Sequence, residues 1–197
     1  MGDSFVITGE EQASLDELIK ETENLSEFED AVVAENEGLD NSNLPHCKYI
    51  VVNGVLENKT PKPLNVYEEK IWAGGMLKQF PDPLERIGYF IANGIQPQGV
   101  MEAVVYKGMN SDGVECGWLL AFMDSDQNGG MKVYVDCGPI RKFMNIDWNA
   151  VETKLMHSGT TAKHYDTETQ TSVVANIIRY SCDGKTCKDK VTAIFYG

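Results

Sequence analysis

The 197-residue chain contains 42% hydrophobic and 24% charged residues, an ordinary globular composition that excludes a wholly disordered protein. It contains no apolar run close to the ~20 residues that a membrane-crossing helix needs, so we expect no transmembrane segment. The formal net charge of −13 opposes the phosphate backbone of nucleic acids and argues against a general nucleic-acid binder.

The acidic residues are concentrated at the start of the chain. Residues 1–44 hold thirteen acidic side chains and the single base Lys20, so they carry −12 of the total charge of −13. Residues 45–197 are therefore nearly neutral. This distribution predicts an acidic arm with its linker over 1–44 and a separate folded domain over 45–197.

Two capping boxes predict helices in the arm. The segments 14–17 (SLDE) and 26–29 (SEFE) place a hydroxyl and a carboxylate three residues apart, which favours helices over 15–23 and 27–35. Apolar residues near a 3.6-residue spacing form one stripe: Leu15, Leu18, Ile19, Leu25, Phe28, Val32 and Val33. We expect the stripe to dock on the domain, because an anionic membrane would repel this arm. Engagement of a basic protein partner is the alternative.

The rest of the chain has the pattern of a β-protein. Short runs rich in Val, Ile, Tyr and Phe alternate with turn residues and predict strands over 48–52, 64–72, 88–92, 100–107, 117–123, 132–137, 172–181 and 191–196. Their regular spacing is typical of an antiparallel β-sandwich rather than of βαβ units. The predicted fold class is therefore mainly β, with one inserted helix.

The inserted helix is predicted near residue 150. Asn149 and Glu152 form a capping box, and Trp148, Val151 and Leu155 lie on one helical face. Gly159 follows where a helix end often needs a left-handed residue.

Common catalytic motifs are absent from the sequence. It contains no G-x-S-x-G, P-loop, G-x-G-x-x-G or H-E-x-x-H pattern, and only three histidines. His46 and Cys47 are adjacent, so in a strand their side chains would point to opposite faces and would not form a catalytic pair. We therefore expect a protein that is not an enzyme and uses no cofactor.

The five cysteines indicate a reducing compartment. An odd number argues against a fully paired secreted framework, and the start of the chain lacks the basic and apolar regions of a signal peptide, so we expect a cytoplasmic protein. Cys116 and Cys137 border apolar strands and should be small buried side chains. Cys182 and Cys187 flank a predicted turn and form a candidate redox pair. A zinc site would need two more ligands at suitable spacing, which the sequence does not supply.

A short acidic segment resembles the first half of an EF-hand calcium loop. It contains Asp124, Asp126 and Asn128, followed by a glycine. The twelfth position is Val135 instead of the glutamate that closes such a loop, so we favour a polar hairpin loop. The alternative is a weak calcium site completed by Asp136.

Aromatic residues supply the candidate ligand-binding side chains. Stacking on a sugar or seating at a lipid interface uses an apolar ring with a polar edge. The candidates are Tyr67, Trp72, Tyr89 and Trp118.

Residues 102–122 (EAVVYKGMNSDGVECGWLLAF) resemble the central motif of the small jasmonate-induced proteins of plants, distinct from their ribosome-inactivating namesakes. The similarity includes the strand 103–106, the turn 108–113 and the pair Cys116 and Trp118, and it extends more weakly through 46–60 and 132–158. The resemblance implies an intracellular protein induced by stress or a hormone, with no established catalytic residues. The strand pattern is also similar to actinoporin-like sandwiches that bind lipids and glycans.

These observations favour a non-enzymatic stress- or defence-related protein that recognises a glycan or a lipid headgroup. A regulatory factor whose acidic arm engages a basic partner is the first alternative, and an undetected enzyme is the second.

Overall fold

The computed structural model describes residues 47–197 and shows two β-sheets with one α-helix between strands seven and eight. The strands are β1 (Tyr49–Lys59), β2 (Asn65–Ala73), β3 (Gly75–Lys78), β4 (Ile87–Ile95), β5 (Val100–Met109), β6 (Glu115–Ser125), β7 (Gly130–Pro139), β8 (Thr161–Asp166), β9 (Thr171–Cys182) and β10 (Thr186–Tyr196). The helix α1 spans Trp148–Met156, and a 3-10 turn at Ile140–Lys142 precedes it.

The two sheets form a β-sandwich. One sheet has six strands in the order β3-β4-β1-β10-β9-β8, and the other has four in the order β2-β5-β6-β7. All neighbouring strands are antiparallel except β1 and β10, which run parallel along their full length. The predicted sandwich is confirmed, and the parallel pair is a feature that the sequence pattern did not predict.

The main core lies between the sheets. Alternate residues point inward, so Val52 and Leu56 of β1 meet Leu120 and Phe122 of β6 in one apolar cluster. Aromatic rings fill its centre, where the centroids of Phe90 and Phe122 lie 5.2 Å apart. Full burial of each such ring contributes about 1.5–3 kcal/mol of transfer free energy.

Two strands were missed by the sequence pattern, and both lie at an edge of the six-stranded sheet. The four residues of β3 pair only with β4, and β8 pairs only with β9. Edge strands have one pairing partner and little burial, so they lack the apolar run that marks the central strands.

The helix α1 begins earlier than predicted. Its N-cap is Asp147, whose Oδ1 accepts hydrogen bonds from the backbone N–H groups of Asn149 and Ala150 at 3.0 and 3.2 Å. The predicted cap at Asn149 is therefore wrong, because that residue already lies inside the first turn. Gly159 does not end the helix either: its carbonyl accepts the Val133 N–H at 2.8 Å, three residues beyond the last helical residue.

The helices predicted over 15–23 and 27–35 lie outside the described residues. Within 47–197, no helix has the length and apolar character needed to cross a membrane.

Candidate functional site

The four predicted ligand-binding aromatics do not share one surface. Trp118 is fully buried in the core, and its indole Nε1 donates to the Tyr196 carbonyl at 3.0 Å. The prediction is corrected for Trp118, because a ring enclosed between the sheets presents no face to a ligand. Tyr89 lies on the outer face of the six-stranded sheet, beside Val55 and Ile194.

Tyr67 and Trp72 lie together on the other side of the sandwich. Both side chains pack on the outer face of the four-stranded sheet. In a regular strand, residues 67 and 72 would point to opposite faces, because side chains alternate between the two faces. The strand β2 is not regular: its pairing with β5 shifts between Val66 and Glu68 and again between Ile71 and Ala73. The bulged strand thus brings two of the predicted side chains onto one face.

Helix α1 adds a third indole to this face. The rings of Trp72 and Trp148 meet edge to face with centroids 5.8 Å apart, and Trp148 Nε1 donates to Glu68 Oε1 at 2.7 Å. Tyr134 of β7 packs against the same apolar cluster. We call the partly buried side chains Tyr67, Trp72, Tyr134 and Trp148 the aromatic face. No sequence pattern marks Tyr134 and Trp148 as binding candidates, because only the tertiary packing places them on the same apolar cluster as Tyr67 and Trp72.

Charged groups line the aromatic face. Lys107 Nζ lies 5.4 Å from the Tyr67 ring centroid, and Lys154 Nζ lies 5.4 Å from that of Tyr134. The Tyr134 hydroxyl accepts from Lys154 Nζ at 3.2 Å and donates to Asp136 Oδ2 at 3.3 Å. Burial and the negative Asp136 raise the pKa of the Tyr134 phenol, so it remains a neutral hydrogen-bond donor. The face thus offers apolar ring surface and polar edges together.

Asp136 belongs to the charged groups beside the aromatic face. Its carboxylate is mostly buried and contacts Lys142 Nζ at 2.5 Å and His164 Nε2 at 3.1 Å. Asp136 pairs with Leu119 on β6, whereas Asp124 pairs with Met131 far along the same ladder. These two carboxylates therefore cannot bind one ion.

The remaining members of the weak calcium candidate form the β6–β7 hairpin. Asp124 is buried and bound by the guanidinium of Arg179, whose Nε also donates to Asp189 Oδ1 at 2.9 Å. The turn itself contains Asp126 and Asn128. The segment thus forms a polar hairpin between β6 and β7, and the structure does not bring the four calcium candidates Asp124, Asp126, Asn128 and Asp136 together at one point.

The Arg179 cluster contains a second buried carboxyl. Burial and the nearby Asp124 raise the pKa of Asp189 despite its contact with Arg179. The Arg179 guanidinium thus binds two carboxyl groups, one on each sheet.

Three cysteines meet at one end of the six-stranded sheet. Cys182 and Cys187 are directly opposite across the β9–β10 hairpin, with Cα atoms 4.2 Å apart. Cys47, two residues before β1, joins them, and the three sulfur atoms all lie within 4.8 Å of one another. No sequence pattern links Cys47 to this pair, because it is 140 residues from Cys187 and only the parallel β1–β10 pair brings them together. Cys116 and Cys137 are free and buried, as expected.

One further polar group lies inside the core. Glu102 is fully buried, and neither carboxyl oxygen has a hydrogen-bond partner in the described part of the chain. Burial and the nearby Glu69 raise its pKa to about 8, so the carboxyl is protonated at neutral pH.

The fold has a clear structural relative. The chain is similar to the lipid-binding protein Nakanori, with a TM-score of 0.61 and 14% sequence identity over 99% of this chain and 91% of that protein. A lectin from Xerocomus chrysenteron matches at a TM-score of 0.41 and 11% identity, over 76% of this chain and 99% of the lectin. No protein-family model matches the sequence. The class is thus a two-sheet β-sandwich of the Nakanori type.

The sequence comparison then gives the family. The chain is 33% identical to the jasmonate-induced protein homolog of Atriplex canescens over 126 residues, which is 61% of this chain and 68% of that protein. The chain belongs to the jasmonate-induced protein family, and the resemblance found in the sequence is confirmed.

Proposed function

We propose that the protein is a non-enzymatic, stress- or defence-related binding protein that recognises a glycan or a lipid headgroup through the aromatic face. The observation that carries the proposal is the convergence of Tyr67, Trp72 and Trp148 on one outer surface. The likeness to a lipid-binding protein and the jasmonate-induced relative are consistent with this role.

The chemistry of the aromatic face suits such ligands. A glycan offers C–H surfaces for ring stacking and hydroxyls for hydrogen bonds, and a lipid headgroup offers a charged group beside an apolar boundary. Glu68, Lys107 and Asp136 lie next to the rings and supply both acceptors and donors. The same three side chains would lie beside a bound glycan or a bound lipid headgroup.

Vesicle sedimentation and a glycan array with the full chain test the proposal. The vesicles should contain phosphatidylcholine alone or with phosphatidylserine or a neutral glycolipid, so that headgroup specificity is separated from bulk charge. We expect retention on one vesicle type or one glycan group. Trp72→Ala should weaken it about tenfold or more, since central aromatic anchors dominate binding energy.

The matched control is Tyr89→Ala, which removes a partly exposed ring from the opposite side of the sandwich. A thermal melt of each variant separates loss of binding from loss of folding. Equal losses in Trp72→Ala and Tyr89→Ala, or no retention of the wild-type chain on any probe, would contradict the proposal.

The acidic arm belongs to the part of the chain outside the described residues. Its role in engaging a basic protein partner therefore stays a prediction, as does the cytoplasmic location.

A further inference from the structure

The three-cysteine cluster is built from backbone pairings that fix each of its members. Lys48 and Tyr49 both donate their backbone N–H groups to the Lys185 carbonyl, at 2.8 and 3.0 Å. These bonds hold the start of β1, and therefore Cys47, against the turn between β9 and β10. The other two cysteines occupy the two strands that this turn connects.

The turn itself is held in one conformation. The Asp183 carboxylate accepts the backbone N–H groups of Lys185 at 2.8 Å and Thr186 at 2.6 Å, and Gly184 has a φ of 87°. These two amides also lower the pKa of Asp183. The resulting C-x4-C hairpin has a spacing that is common for a pair of zinc-binding cysteines.

Disulfide chemistry alone does not account for three converging sulfur atoms. Each sulfur forms one disulfide at a time, so any pairing leaves the third cysteine as a thiol beside it. The Cα atoms of Cys47 and Cys182 are 7.2 Å apart, beyond the usual range for a disulfide, and those of Cys47 and Cys187 are 5.7 Å apart. A single cation, in contrast, can bind all three sulfur atoms at once.

The surroundings allow a metal ion to enter. A recess of about 180 Å³ adjoins the cluster, lined also by Gln96, Asp126 and Arg179. Cys187 is buried, whereas Cys182 is exposed at the mouth. Arg179 is held by Asp124 and Asp189, and Asp126 is the carboxylate that lines the recess.

We propose that Cys47, Cys182 and Cys187 form a binding site for a thiolate-binding d10 cation, with Zn²⁺ as the test ion. Thiolate sulfur is the ligand that selects zinc and Cu(I) over hard cations. Three S–Zn bonds form, and the protons of the three thiols pass to solvent, so binding is linked to pH. The fourth position faces the recess beside Asp126. This site is separate from the aromatic face and does not depend on the function proposed above.

The test is a zinc titration of the reduced full chain, desalted without oxygen and measured against a chromophoric chelator. We expect one Zn²⁺ per chain, a dissociation constant below about 1 μM and proton release on binding. Co²⁺ should give a thiolate-to-metal absorption band. Cys47→Ser and Cys182→Ser should each weaken zinc binding at least about 100-fold, because each removes a direct ligand.

Cys116→Ala is the matched control, since Cys116 is a free buried cysteine outside the cluster. Its zinc affinity should equal that of the wild type, and circular dichroism of the serine variants should show that they still fold. A Cys47→Ser chain with unchanged zinc affinity would overturn the proposal. So would peptide mapping of a chain kept from oxidants that shows a stable disulfide between Cys47 and Cys187, with Cys182 as a free thiol.

Discussion

Glu102 places a carboxyl group in the core between the sheets. Its neighbours on the same side of β5, Val100 and Val104, belong to the main apolar cluster. Because its pKa is raised to about 8, the folded protein holds a proton that the unfolded chain releases near pH 4.5. Stability from this group is therefore fully present below about pH 4.5 and is lost as the pH rises toward 8.

We expect Glu102→Gln to stabilise the protein increasingly as the pH rises. The substitution removes the ionisation, so the difference in unfolding free energy between variant and wild type should grow by a few kcal/mol from pH 5 to pH 8, at about 1.4 kcal/mol per pKa unit. Urea unfolding at both pH values measures it. The glutamine amide is unpartnered at every pH, so the change with pH is the informative quantity.

Glu115→Gln is the matched control for this experiment, because Glu115 is exposed at the start of β6. It should show little change in relative stability over the same range. A Glu102→Gln difference that is the same at pH 5 and pH 8 would contradict the protonated state of Glu102 in the folded protein.

At the scale of single elements, the helix α1 depends on a cap that the sequence pattern placed elsewhere. Asp147→Ala should destabilise the protein by about 0.5–2 kcal/mol, because two backbone N–H groups lose their acceptor. Thermal unfolding measures the loss, and tryptophan fluorescence reports on Trp148 at the helix start.

Asn149→Ala tests the earlier prediction directly. The Asn149 side chain lies past the cap, so its removal should cost clearly less than that of Asp147. A larger loss for Asn149→Ala would restore the capping box that the sequence suggested.

Local patterns predicted the central strands well and the site poorly. The apolar run in the sequence of β6 predicted a buried strand, and every residue from Cys116 to Ser125 is buried in the structure. The polar edge strand β8 has no such run. Tyr67 and Trp72 share a face through irregularities in β2 that no two-residue period predicts. Cys47 lies beside Cys182 and Cys187 because β1 pairs with β10. These strands are far apart in the sequence, so no local pattern predicts their pairing.

At the scale of the whole molecule, the outer face of the six-stranded sheet is unexpectedly apolar. Val51, Val55, Val174 and Ile194 point away from the main core, yet each is at most 1% exposed. Helix α1 packs on the opposite sheet. The docking of the apolar stripe of residues 1–44 stays a prediction, and this face is where we expect it.

Removal of residues 1–40 tests this arrangement. The truncated chain should still unfold cooperatively, because all ten strands of the described region lie beyond the deletion. Its melting temperature should fall by about 5–10 °C, as expected for a net loss of about 2–3 kcal/mol in a protein of this size. Circular dichroism follows the melt, and binding of a hydrophobic dye should report the uncovered face.

Two outcomes would contradict that arrangement. An unchanged melting temperature would show that the arm does not dock on the domain. Loss of all cooperative unfolding would show that residues 1–40 form part of the core, so the division into a separable arm and domain would be wrong.

The parallel pairing of β1 with β10 also determines how the domain would respond to a pulling force. The two strands lie side by side over eleven paired positions, from Tyr49 with Thr186 to Lys59 with Tyr196. A force applied at residue 47 and residue 197 therefore acts at opposite ends of this ladder and loads its hydrogen bonds together, in shear. If these two strands were antiparallel, both points of pulling would lie at the same end of the pair. The hydrogen bonds between the strands would then break one after another. The domain should accordingly resist extension along this axis far better than its thermodynamic stability alone would indicate, since forced unfolding follows the unfolding rate.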